Sequence, residues 1–198
     1  MPLSTPKPSP GPFSDPSKAQ RGGEAEGVFL RFLRNLQATA LPSEALPQPY
    51  RDLLAHERDM TSTLTRHHGE RMALRVLELE ISANRLERRV HLLAAETRRV
   101  VEVGAIRIQL SLFPPQAHQQ IREGLCPLGA VLAEHRIPYL SQPQGFFRVE
   151  SVTNLGLASG LPASRQGAPP EPLAFGRHNI LLSPTGELLA EVLELLPT

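Results

Sequence analysis

The chain of 198 residues is long enough for a full-sized domain, and its 40% hydrophobic and 21% charged residues are the proportions of a globular protein, not of a disordered or fibrous one. A formal net charge of +1 removes any whole-molecule electrostatic case for nucleic acid, and aromatic residues at 5% with no Trp leave little to stack on bases. The lone cysteine, Cys126, excludes an intramolecular disulfide and the paired-cysteine zinc patterns. With no basic start leading into an apolar run, and no apolar run near the ~20 residues of a membrane span, the expected location is the cytosol.

Residues 1–24 carry prolines at 2, 6, 8, 10, 12 and 16 among Ser, Gly and Lys, with little to bury, and are expected to form a disordered tail ahead of a single domain over 25–198. "EGVFLRFLRNLQ" then sets Val28, Phe29, Phe32, Leu33 and Leu36 at helical spacing, which predicts a helix of about three turns. Pro42, Pro47 and Pro49 punctuate the next stretch, and "YRDLLAHE" predicts a second short helix. From Arg71 onward the pattern turns extended, with strands expected at 72–81, 86–95, 99–111, 146–152, 178–183 and 187–195. "SAN" and "SPTG" are tight-turn sequences, so the runs they join must pair antiparallel. "PPQAHQQIREGLCPLGAVLAEH" is helical in character, interrupted at Pro127 and Gly129, and 155–176 is expected to be a long loop. The sum is an α+β domain, an antiparallel sheet with helices on one side.

Several residues stand out chemically. Alternation in 86–95 places Leu86, Arg88, Val90, Leu92 and Ala94 on one face, so Arg88 shares an apolar side and needs an anionic partner there. A structural ion pair and a carboxylate-binding fork inside a pocket are both open. In the last strand Glu191 and Glu194 fall on opposite faces, and parity alone does not say which points inward; a buried carboxyl would have a raised pKa and suit acid catalysis or a substrate hydroxyl. His56 and Glu57 begin like a zinc-protease HExxH motif, but Met60 stands where the second histidine belongs, and adjacent His67 and His68 lack the i, i+4 spacing. No GxSxG elbow, P-loop or dinucleotide fingerprint is present.

The order of these pieces resembles the chorismate lyase family. The carrying segments are "ERDMTSTL", "ERRVHLL", "CPLGAVL" and "LLAEVLELLP", and the likeness spans about residues 48–197. It implies an antiparallel sheet with helical flaps over an internal ligand pocket. The implied reaction is conversion of chorismate to 4-hydroxybenzoate and pyruvate, a step toward the ubiquinone ring, without metal or organic cofactor. Carried over residue by residue, it makes Arg88 the partner of the ring carboxylate and Leu128 a backbone donor to it. Glu191 would stand by the ring hydroxyl and departing ether, and Met60 would line the lid. "HERDMTSTL" then reads as pocket edge and helix start, with Asp59 or Thr61 as the cap. Matching the chain end at Pro197 keeps Glu194 in play beside Glu191. Ala105 stands where some members have a second pocket arginine, leaving Arg107 or Arg177 to hold a second anionic group. The alternative is a non-catalytic domain of the same fold that binds an aromatic acid, like the effector domains of GntR-type regulators; residues 1–50 show no winged-helix pattern to go with one. Either way the expected partner is a small molecule, with no nucleic acid and no membrane span.

Overall fold

The computed structural model describes residues 26–154, 159–162 and 171–198. The proline-rich stretch 1–24 and most of the expected 155–176 loop lie outside them. Helix α1 (Val28–Arg34) buries Val28, Phe29 and Phe32, and Arg31 and Arg34 in its last turn suit the negative end of the helix dipole. The chain then enters an edge strand, β1 (Leu36–Leu41), which sequence periodicity had run into the helix. Its small residues and single buried Leu36 give no strand-like alternation, and only pairing with a distant partner makes it a strand. Two short helices come next, α2 (Tyr50–Leu54) and α3 (Met60–His68). Asp59 caps α3 by accepting the Ser62 N–H at 2.7 Å, and Gly69 closes it in the left-handed conformation, φ 69°.

Strands β2 (Met72–Ile81), β3 (Arg85–Ala94) and β4 (Val100–Gln109) form an antiparallel meander close to the expected bounds, with "SAN" at the first turn. Helices α4 (Pro115–Glu123) and α5 (Leu128–Glu134) lie beyond it in the chain, broken between Gly124 and Pro127, while Gly129 lies inside α5. β5 (Leu140–Val152) begins six residues earlier than expected, because Pro143 and Gly145 sit at a register shift that the sheet tolerates but the sequence pattern hides. β6 (Ala174–Leu182) and β7 (Leu188–Pro197) form the hairpin around "SPTG".

The seven strands make one antiparallel sheet in the order β1-β5-β6-β7-β4-β3-β2. Helices α2–α5 cover one face; α1 covers the other, packing Phe29 and Phe32 on Val103, Phe147, Leu193 and Leu195. On the α2–α5 face the apolar residues fall into two clusters. One, under α4 and α5, joins Leu86, Ile106, Ile108 and Ala190 to Ile121, Val131 and Leu132. The other, under α2 and α3, joins Leu92, Ala94 and Leu196 to Leu53, Leu54 and Leu64. Among the described residues no helix is long and apolar enough to cross a membrane.

Candidate functional site

The cavity lies on the α2–α5 face, lined from both clusters by Leu74, Val90, Leu92, Ile106, Leu132, Leu181 and Val192. The centre of a water-sized sphere can reach about 70 Å³ of it, so the enclosed space is compact. Its covering edge comes from the starts of α3 and α5, through Asp59, Met60 and Thr61 on one and Pro127, Leu128 and Gly129 on the other. The two helices nearly touch: a Cβ on Gly129 would lie 2.9 Å from Asp59 Oδ1 and 3.1 Å from Thr61 Oγ1. A side chain there would displace the Asp59 oxygen that caps α3.

Arg88 enters this apolar space from β3 with only 2% of its surface exposed. Nη2 donates to the Cys126 carbonyl at 3.4 Å, whereas Nε and Nη1 are buried without a partner. Burial alone pulls its pKa down to about 10. A guanidinium in that state suits an anion, because desolvating it costs roughly several kcal/mol and, among the described residues, the long Cys126 hydrogen bond offsets little of that cost.

Arg177 is the opposite case. It is completely buried, its Nε joins the Glu194 carboxylate, and Nη1 donates to the carbonyls of Leu54 and His56 at 3.0 and 2.8 Å. Nη2 reaches the Arg58 carbonyl at 3.4 Å. This arginine ties the α2–α3 connection to the sheet. Its neighbour His56 accepts the Arg58 N–H on Nδ1 at 3.1 Å. Burial first, then the charges of Arg177 and Arg58, hold the imidazole pKa down to about 4.

Across the sheet, Val90, Gly104, Glu194 and Arg177 stand in one lateral row of directly opposed residues. Gly104 leaves that row open, and the Glu102 carboxyl occupies the gap: a Cβ at 104 would lie 3.1 Å from Glu102 Oε1 and 3.2 Å from the Leu193 carbonyl. Glu102 is 4% exposed and its Oε2 has no partner. Burial, reinforced by nearby Glu194 and opposed by Arg177, raises its pKa well above the usual carboxylate range. Asn179, also on the cavity wall, is held by Ser141 at 3.0 Å.

The sequence-derived residues therefore divide. Met60, Arg88 and Leu128 all border the cavity. Glu191 does not: it lies on the α1 face, where it accepts from His178 Nε2 at 2.9 Å and Arg107 Nη1 at 3.3 Å. The His178 hydrogen bond leads in holding its pKa below the ordinary value. The reason is strand parity, since Val192 and Glu194 point to the cavity and the residue at 191 points away. Arg107 shares the α1 face with it, donating from Nε to Glu87 at 2.9 Å and lying 4.9 Å over the Phe29 ring. Sequence reasoning missed Glu102 altogether. Its signal was a lone carboxylate in the apolar run "VVEVGAI", on the same strand face as Gly104 and Ile106. Among the described residues no group of three His, Cys, Asp or Glu side chains comes together as a metal site would require.

No protein-family model matches the chain, and no curated protein matches it. Solved structures similar to it include a domain described as the ligand-binding domain of a GntR-family transcriptional regulator from Bordetella bronchiseptica, at 13% identity and TM-score 0.45, covering 64% of this chain and 86% of that one. PhnF from Mycobacterium smegmatis is similar at 12% identity and TM-score 0.43, covering 71% of this chain and 64% of that one. The effector domain of PhnF alone gives 12% and 0.43, covering 70% and 88%.

Proposed function

We propose that residues 25–198 form one domain whose function is to bind a compact aromatic carboxylic acid, with the carboxylate on Arg88 and the ring against the apolar walls. The observation that carries this reading is the buried Arg88 fork, two of whose nitrogens have no partner among the described residues, at the edge of a cavity whose walls are mainly apolar. A carboxylate matches that fork in shape and charge. In this reading Leu128 and Met60, at the starts of α5 and α3, close over the bound acid, and the protein acts in the cytosol. Titration calorimetry with benzoate tests it: heat of binding is expected from wild type and not from Arg88→Ala, with partial recovery in Arg88→Lys. Equal binding by wild type and Arg88→Ala would end the proposal.

A second reading is the chorismate lyase that the sequence resembles, and Glu102 favours it, because a carboxyl on the cavity wall whose pKa burial raises suits proton donation to a departing enolpyruvyl ether. Glu194, on the cavity, would take the place of Glu191. The receptor reading is preferred because chorismate carries two carboxylates. Of the cavity's two arginines Arg177 is committed to Glu194 and to carbonyls, Arg107 faces the other side, and position 105 is alanine. Incubating the protein with chorismate and following pyruvate and 4-hydroxybenzoate by chromatography separates the two: product that Arg88→Ala abolishes makes it a lyase, and no product with acid binding retained makes it a receptor.

A further inference from the structure

Arg88 ends beneath the connection between α4 and α5. Its Nη2 donates to the Cys126 carbonyl at 3.4 Å, and a Cβ on Gly124 would lie 3.9 Å from its Nη1, so residues 124–126 pass within contact of the guanidinium. Nε and Nη1 have no partner among the described residues, and Arg88 is only 2% exposed. Cys126 carries the single thiol of the chain. It is half-buried against the cluster under α4 and α5, and its neighbour Leu125 is 75% exposed, so the loop keeps the thiol within reach of solvent. Burial lowers the Arg88 pKa, and Cys126 opposes that drop, which places the sulfur within electrostatic reach of the guanidinium. A thiol is nevertheless a weak acceptor and cannot complete the hydrogen bonding of an arginine.

We propose that Cys126 is an oxidation site that closes the cavity to acids: a hydroperoxide converts the thiol to a sulfenic acid, whose oxygen takes the place at Arg88 that a ligand carboxylate would occupy. The proposal rests on the reading of Arg88 as the carboxylate partner. In the reaction the sulfur attacks the terminal oxygen of the hydroperoxide, an S–O bond forms as the O–O bond breaks, and the thiol proton leaves with the other oxygen as water or an alcohol. Sulfur loses two electrons and the peroxide gains them. The added oxygen is an acceptor on a residue already tied to Arg88 through its own carbonyl, so it reaches the free N–H groups without the cost of capturing a separate molecule. A dissolved acid must compete with that tethered acceptor. Gly124 presents no side chain to Nη1, which leaves room for the new oxygen. With no second cysteine in the chain, the sulfenic acid has no thiol of its own chain to condense with. An added thiol reverses the step: it displaces water to form a mixed disulfide, which a second thiol splits to return Cys126.

The test is titration calorimetry of the full chain with benzoate before and after hydrogen peroxide, with peptide mass spectrometry to locate the added oxygen. Peroxide is expected to place one oxygen on Cys126 and to weaken benzoate binding about 10-fold or more, the worth of a hydrogen bond to a charged group. Dithiothreitol restores the affinity, as it would not if the lesion were a sulfoxide of Met60 on the cavity edge. In Cys126→Ser the affinity measured before peroxide persists after it. Cys126→Asp puts a permanent anionic acceptor at the same point. Compared with the neutral Cys126→Asn, it is expected to raise the urea unfolding midpoint when Arg88 is present and not in the Arg88→Met background, with circular dichroism establishing that each variant is folded. An oxidised Cys126 with undiminished benzoate affinity, a Cys126 that peroxide leaves unchanged, an equal loss in Cys126→Ser, or an Asp-to-Asn difference that is the same with and without Arg88 overturns the proposal. Those failures leave the Arg88 site standing, whereas untreated wild type that binds no benzoate, or binding that Arg88→Ala does not weaken, overturns both.

Discussion

Arg177 and Glu194 stand directly opposite each other across β6 and β7 and are joined by an ion pair almost entirely out of contact with water. The same arginine holds the carbonyls of Leu54 and His56, so this single side chain fastens the sheet to the segment that leads into the α3 flap.

Removing one partner of that pair leaves a buried charge without compensation. Glu194→Ala is expected to lower stability by about 3–5 kcal/mol, whereas the double replacement Arg177→Met with Glu194→Leu costs less than the two single changes added together. Urea unfolding of the four proteins in the cycle measures the difference. Simple additivity would mean that the pair contributes nothing beyond its separate contacts.

His56 gives this region a pH dependence of definite sign. In the unfolded chain its imidazole titrates near 6.5 and in the folded protein near 4, so between those values the unfolded chain takes up a proton that the folded one refuses. The contribution of His56 to stability is therefore present in full above pH 6.5 and is lost as the pH falls toward 4. His56→Asn keeps a side-chain oxygen for the Arg58 N–H and removes the titration. Its unfolding midpoint in urea is expected to fall less steeply than that of wild type between pH 6.5 and 4; parallel slopes would show that His56 is not responsible.

Much of this architecture could be read in the chain, and the failures have physical causes. β2 matched its expected bounds because "MALRVLELEI" lies between the clear breaks of Gly69 and "SAN". A cap at Asp59 or Thr61 was legible because an acceptor at a helix start satisfies an otherwise unpaired N–H whatever the tertiary context, and Asp59 is the one that does so. Arg88 was legible because alternation alone puts it among Leu86, Val90 and Leu92. Glu191 and Glu194 could not be told apart, since both strand faces of β7 are buried, one under α1 and the other on the cavity wall, so neither shows a polar outer face. α1 itself was expected beside the other helices; the face it covers is decided by pairings such as Phe29 N–H to buried Glu87 at 2.9 Å, which link residues 58 apart in sequence.

Two glycines separate steric need from conformational need. A Cβ on Gly176 would fall 2.7 Å from the Glu194 carbonyl and 2.8 Å from Phe147, in the packed α1 side of the sheet. Gly69 has open space around it but a φ of +69°. Gly69→Ala is expected to cost about 1 kcal/mol, the backbone penalty alone. Gly176→Ala is expected to cost about 3 kcal/mol or more, because the backbone it would strike belongs to a neighbouring strand and cannot give way. Thermal unfolding of both variants reads the ranking directly, and a smaller loss at 176 than at 69 would contradict the packing described for β6 and β7.

The most telling stability experiment concerns Arg88, because a side chain kept for binding and one kept for folding respond oppositely to removal. Arg88 contributes one long hydrogen bond to the Cys126 carbonyl while its charge and two of its nitrogens stay buried without partners. Replacing it with methionine, of similar length and without charge, fills the same space with atoms that suit Val90, Ile106 and Leu132 around it. Arg88→Met is therefore expected to raise stability by about 1–3 kcal/mol, the cost of the unpartnered polar group, while abolishing binding of benzoate. Saturating benzoate reverses the order: it stabilises wild type by mass action and leaves the variant unchanged. Urea unfolding with and without benzoate measures all four values, and a loss of stability in ligand-free Arg88→Met would mean that the arginine serves the fold.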